Sequence, residues 1–125
     1  MNNEASIQSL VRLEARQFDC VLFRNNVGVL RDARGVPVRF GLANDSKALN
    51  EVLKSADLIG WRTITVTPDM IGKHIAQFVS RECKAAGWVV SQNNAHEAAQ
   101  LAWAQYVNAH GGDAKIISGP GSFLS

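Results

Sequence analysis

Glu82-Cys83-Lys84 sets an acid and an amine two residues apart at the end of a β-like run, HIAQFVSRECK. Side chains alternate along a strand, so Glu82 and Lys84 point one way, with Ala76, Phe78 and Ser80, and Cys83 points the other. A face of apolar or small residues that ends in Glu and Lys is unusual for a solvated edge. Burying such a pair without partners costs several kcal/mol, and a bound metal ion would supply the missing partner. Glu-x-Lys alone occurs by chance in many chains. It gains weight from Asp57, which opens the β-branched run DLIGWRTITVT. If the two runs form a hairpin around residues 68–73, antiparallel pairing brings Asp57 beside Glu82 and Lys84. Two carboxylates can hold Mg2+ or Mn2+ through oxygen. The ion can activate water and neutralise charge growing on a phosphate, and the lysine can orient that water and stabilise the transition state. This is the chemistry of phosphodiester hydrolysis. The literal Pro68-Asp69 is a decoy: thirteen extended residues would separate Asp69 from Glu82 by up to ~40 Å, so Asp69 reads as a turn former.

The elements that must position these groups follow from periodicity. Ile7, Leu10, Val11 and Glu14 predict a helix over residues 4–17 with Asn3 as N-cap. FDCVLFRNN predicts a strand, and Val36–Phe40 a short one after turns at Gly28 and Gly35. Residues 45–54 predict a helix capped by Asp45 or Ser46. Strands follow over 57–67 and 74–84. Asn94 and Glu97 then start a helix in the manner of a capping box. Its packing stripe is expected to be Ala95, Ala98, Ala102, Tyr106 and Ala109, and Gly111-Gly112 ends it. DAKIIS is a last short strand. The whole is an α/β domain built around a mixed sheet.

The 125 residues suit a single domain, 1–125. A hydrophobic fraction of 46% and a charged fraction of 19% are ordinary for a globular protein. No apolar run approaches the roughly 18–20 residues that span a bilayer, so no membrane partner is expected. MNNEASIQSL has no basic segment leading into an apolar one, so no signal peptide is expected. Cys20 and Cys83 are too few for a disulfide framework or a zinc finger, which points to a cytoplasmic setting. Net charge is only +2, but Arg24, Arg31, Arg34 and Arg39 fall close together and Lys47, Lys54, Arg62, Lys73, Arg81 and Lys84 follow. Such a spread suits either a surface that tracks a nucleic-acid backbone or ordinary solubilising charge.

The segments RLEARQFDCVLFRNNVG, RFGLAND, SADLIG, RECK and AAQLAWAQYVNAHGGDA, in that order, resemble the VRR-NUC (virus-type replication-repair nuclease) family of the PD-(D/E)XK superfamily. The resemblance runs from about Glu4 to Ile117. It implies a restriction-endonuclease-like core, a mixed β-sheet flanked by helices. By that resemblance Asp57 and Glu82 are the metal-binding acids, the Cys83 carbonyl completes the metal's protein ligands, and Lys84 is the catalytic lysine. Glu4 is the acid on the first helix that faces the metal, and Gln100 is the glutamine on the helix after the catalytic strand. The family includes stand-alone bacteriophage proteins and is associated with cleavage of branched DNA, including Holliday junctions, by dimers. The implied protein is a Mg2+- or Mn2+-dependent DNA endonuclease of phage replication, recombination or repair, acting as a homodimer in the host cytoplasm. This chain departs from the family pattern in reading Ser55-Ala56-Asp57 without a proline, and in inserting NDSKALNEVLK before that motif.

Further candidates surround that set. Arg24 and Asn25 close a strand and suit either a phosphate contact or a turn. Lys47 and Lys54, in the insertion, are candidate DNA contacts. Trp88, in AAGWVVSQNN, is the tryptophan best placed to touch substrate, while Trp61 and Trp103 suit core or dimer packing. His74, His96 and His110 have no zinc-ligand spacing and read as solvated or capping residues. Cys83 reads as a packing residue. The competing readings are a DNA-binding module that keeps the nuclease fold without turnover, a phage interaction protein, and an exonuclease.

Overall fold

The computed structural model describes residues 3–89 and 94–118. The chain is mixed α/β and forms two compact units, Met1–Ile64 and Thr65–Ser125. Among the described residues no helix is long and apolar enough to cross a membrane.

The first unit begins with helix α1, Glu4–Ala15, whose N-cap Asn3 accepts from the Ser6 amide. A side-chain oxygen here satisfies one of the amides a helix start leaves unpaired. Strand β1, Cys20–Arg24, runs antiparallel to β4, Leu58–Arg62, with Leu22 opposite Gly60. Arg12 ties α1 to β1 by donating from Nε to the Leu22 carbonyl. Gly60 makes the pairing possible: a Cβ there would lie 1.7 Å from the Val21 carbonyl oxygen. Strands β2, Gly28–Arg31, and β3, Pro37–Phe40, form a hairpin. Asp32 organises its loop, accepting the Arg34 and Val36 amides on Oδ1 while Gly35 takes φ +78°. Helix α2, Lys47–Val52, is capped by Ser46, which accepts from the Leu49 amide.

The second unit is a β-α-β arrangement. Strand β5, Val79–Cys83, pairs in parallel with β6, Asp113–Ile117, and helix α3, Ala95–Ala109, lies between them in sequence and packs on β6. Parallel neighbours need such a crossover because no tight turn can join them. Asn94 caps α3 by accepting from the Glu97 amide. Val107 is 1% exposed and Ala114 is buried beside it in the core of this unit. Gly111, at φ +93°, ends the helix. Gly112 lets the chain turn tightly against Val107, whose Cγ1 a Cβ at that position would meet at 2.5 Å. Asn108 clamps β6 from the helix: its Oδ1 accepts from the Ala114 amide and its Nδ2 donates to the Ala114 carbonyl.

Three expectations are corrected. The strands form not one mixed sheet but three two-stranded sheets among the described residues. The ladder of β4 runs to β1 and that of β5 to β6, in place of the hairpin expected across residues 68–73. A 3-10 turn does occupy Pro68–Met70, and Thr67 donates to Asp69 in it. However, residues 63–78 separate the two strands, far more than the roughly 2–5 of a hairpin loop. Finally, the packed face of α3 carries Gln100, Leu101, Ala104 and Val107, while the alanine stripe Ala95, Ala98, Ala102 and Ala109 is exposed. The period was correct and the phase was not, because Val107 and Leu101 bury more apolar surface than alanines can.

Candidate active site

Strand alternation delivers the face expected of it. Ser80, Glu82 and Lys84 all meet α3: Ser80 accepts from Trp103 Nε1 at 3.0 Å, and Glu82 and Lys84 both bond Gln100. Arg81 serves β6 instead. Its guanidinium donates to the Asp113 carbonyl at 2.7 Å and to Asp113 Oδ2 at 2.8 Å. That hydrogen bond from Arg81 holds the Asp113 carboxyl below the usual aspartate range against the opposing effect of desolvation, and the charges of Arg81 and Lys115 assist. The Cys83 side chain is exposed, so it is not the packing residue expected.

The centre of the cluster is the Gln100 amide. Lys84 Nζ donates to Gln100 Oε1 at 2.7 Å, and Gln100 Nε2 donates to Glu82 Oε1 at 2.7 Å. The lysine has only donors and the carboxylate only acceptors, so the amide has one workable orientation. Lys84 Nζ also stands 3.9 Å from Glu82 Oε1. The lysine side chain is 16% exposed and that of Glu82 46%, so the amine is partly withdrawn while the acid meets solvent. Glu82 Oε2 takes no hydrogen bond among the described residues.

His96 and Trp88 complete the surroundings. His96 Nε2 lies 3.3 Å from Gln100 Nε2. Because that end of the amide donates, the contact is a hydrogen bond only when His96 Nε2 is the unprotonated ring nitrogen. Trp88 Nε1 donates to Glu97 Oε1 at 2.7 Å, and Lys84 Nζ sits 5.6 Å from the centre of the Trp88 ring. Trp88 thereby flanks the lysine; residues 90–93 of its expected loop lie outside the described residues. A pocket of about 240 Å³ opens beside Glu82, with Gln100, His96, Trp103 and Ile116 in its wall. From the sequence, His96 reads as a solvated or capping residue, and Ser80 shares the Glu82 face without a role of its own. The four-residue spacing of His96 and Gln100 on one helix was the available signal for His96.

Asp57, Glu4, Arg24, Asn25, Lys47 and Lys54 belong to the first unit. Asp57 is exposed just before β4, and its carboxylate takes no hydrogen bond among the described residues. Its backbone carbonyl accepts from the Asn25 amide at 2.8 Å. The Asn25 side chain donates to Ser55 Oγ and the Ala56 carbonyl and accepts from the Leu42 amide. The backbone N–H and Nδ2 of Asn25 thus hold the Ser55-Ala56-Asp57 segment, and its Oδ1 ties it to Leu42. Glu4 lies exposed in the first turn of α1, where its charge suits the helix dipole. Arg24 is exposed at the end of β1. Lys47 pairs loosely with Glu51 at 4.0 Å, and Lys54 donates to Asn50 Oδ1 at 2.9 Å.

Glu82 Oε2 in the second unit, and the Asp57 and Glu4 carboxylates in the first, are each hard oxygen donors of the kind Mg2+ or Mn2+ takes, with no competing hydrogen bond among the described residues. No group of three or more His, Cys, Asp or Glu side chains able to hold an ion gathers among the described residues. Comparison of the chain with protein-family models, with curated proteins and with solved structures gives no match.

Proposed function

We propose that this chain is a metal-dependent DNA endonuclease of the VRR-NUC type. The observation that carries the reading is the Glu82–Gln100–Lys84 cluster at the carboxyl end of β5. In α/β units that end is where ligands are usually met. An acid with an uncommitted oxygen stands beside an amine held by a neutral amide, and this suits catalysis better than a closed ion pair would.

In this reading, which for Asp57 and Glu4 rests on the family resemblance, Glu82, Asp57, the Cys83 carbonyl and Glu4 would hold Mg2+ or Mn2+. The ion supplies charge neutralisation at the phosphate and an activated water. Lys84 directs its proton donors toward the developing phosphate charge, and Gln100 fixes the direction of that amine. Trp88 flanks the lysine, and Arg24, Lys47 and Lys54 contribute cationic surface for backbone contacts. So small a domain recognises DNA by backbone and shape more readily than by base sequence. Branched DNA such as a Holliday junction is the proposed substrate, cut by a homodimer whose two sites address two strands. The proposed setting is the cytoplasm of a phage-infected host.

The test is cleavage of a labelled immobile four-way junction and a matched linear duplex, with and without Mg2+ or Mn2+, by wild type and Lys84→Ala. Metal-dependent cutting of the junction, lost in Lys84→Ala, supports the reading in full. Equal cutting of both substrates keeps the nuclease and removes the junction preference. Binding without cutting under either metal replaces it with a non-catalytic DNA-binding module. A covalently closed circle that survives while linear DNA is degraded makes the enzyme an exonuclease.

A further inference from the structure

A second site emerges in the first unit, around Asn44. This residue is only 2% exposed and is the buried polar side chain of the described residues. Its Nδ2 donates to the Gly28 and Phe40 carbonyls, each at 2.8 Å. Its Oδ1 accepts from Arg39 Nη2 at 2.7 Å and its backbone carbonyl from Arg39 Nε at 3.0 Å. The guanidinium is therefore gripped along one edge by neutral oxygens, and its Nη1 takes no hydrogen bond among the described residues. The grip lies beside a left-handed stretch, in which Gly41 takes φ +95° freely and Ala43, which has a Cβ, takes φ +58°. A non-glycine residue there persists only where its surroundings hold it, and such outliers cluster at ligand sites.

Arg39 and Asn44 line a pocket of about 260 Å³ together with Lys54, Asn50 and Ser55. Lys54 Nζ is likewise bonded to a neutral group, Asn50 Oδ1. Neither Arg39 nor Lys54 forms an ion pair among the described residues. Two cations thus line one pocket, each bonded to a neutral partner, so neither charge is balanced by an acid there. A guanidinium held by Asn44 and an exposed ammonium on the same pocket match a phosphate: the arginine offers directed donors and the lysine a point charge.

We propose that this pocket binds a phosphate group, with Arg39 and Lys54 as its donors and Asn44 as the residue that orients Arg39. Binding here needs no turnover at Glu82, and its nucleic-acid arm rests on the proposed reading, which already gives Lys54 a backbone contact. Its phosphate comes either from a nucleic-acid backbone or from a small phosphate compound.

The test measures binding, not turnover, on the full chain without metal. Inorganic phosphate is titrated by calorimetry, and a fluorescent twelve-nucleotide DNA by anisotropy over a salt series. The variants are Lys54→Ala and Arg39→Lys, each checked by circular dichroism. Lys54 is exposed, so its removal leaves the fold intact even if Arg39→Lys disturbs it. A DNA affinity lowered about 3–10-fold by Lys54→Ala, with the salt slope reduced by about one, identifies a backbone phosphate. Phosphate binding lost in Lys54→Ala with an unchanged DNA salt slope identifies a small phosphate compound. Unchanged affinity for both ligands in Lys54→Ala overturns the site.

Discussion

Gln100 and Lys84 are joined by a 2.7 Å hydrogen bond from the ammonium to the amide oxygen, while the other end of the same amide donates to Glu82. The amide therefore bridges the two groups, which stand 3.9 Å apart. Gln100→Leu removes both bonds with little change of size. A hydrogen bond to a charged group contributes about 1.5–3 kcal/mol, and the half-exposed acid can regain water. The expected stability loss in urea is thus about 1–2 kcal/mol. In the proposed nuclease kcat falls about 10–100-fold with KM nearly unchanged, because the lysine loses its direction and DNA keeps its backbone contacts. Unchanged kcat would remove Gln100 from the machinery.

Asp57 separates chemistry from folding more sharply. Its carboxylate is exposed and takes no hydrogen bond among the described residues, while its backbone is held by Asn25. Asp57→Asn is expected to shift stability by no more than about 0.5 kcal/mol, as surface changes do. Cleavage is expected to fall below detection, since the proposed metal loses an anionic ligand. Paired thermal melts and junction assays check this. Retained cleavage at wild-type metal concentrations would exclude Asp57 as a ligand.

The local signals in the sequence were the most legible. Asn3 and Asn94 cap the helices they were expected to cap, and Ser46 settles the choice left open with Asp45. The two-residue alternation that put Glu82 and Lys84 on one face is present in β5, and Gln100 meets both. What the sequence hid is longer in range. Strand partnership depends on which surfaces bury each other, and a breaker-rich turn at 68–73 says only that the chain bends there. Asn44 was invisible because its role arises from a hairpin, a left-handed loop and Arg39 meeting around it. Nothing in an isolated asparagine distinguishes such a hub from a turn residue.

Gly60 carries a prediction about folding alone. It faces Leu22 across the β1–β4 ladder, and a Cβ would fall 1.7 Å from the Val21 carbonyl oxygen. That neighbour is backbone, so no rotamer change relieves the clash and the strands must part. Gly60→Ala is expected to cost at least about 3 kcal/mol, the upper end of overpacking effects. The checking measurement is the shift of the denaturant midpoint. A shift smaller than that of Asp57→Asn would show that the ladder yields easily.

The Arg81–Asp113 pair carries a prediction about acid stability in the second unit. The Arg81 side chain is 9% exposed, and its hydrogen bond lowers the Asp113 carboxyl from the ordinary aspartate value. A carboxyl with a lower pKa folded than unfolded adds stability above its unfolded pKa and loses it as the pH falls through the folded one. The β5–β6 pairing should therefore hold through neutral and mildly acid pH and weaken only below about pH 3.9, the ordinary aspartate value. Asp113→Asn removes the titrating group yet leaves Arg81 a neutral acceptor. Near neutral pH the variant should be less stable than wild type, and the gap should narrow as the pH drops below that value. Urea midpoints between about pH 2 and pH 7 provide the measurement. A gap that stays constant over that range would show that the charge on Asp113 contributes nothing to holding the strands together.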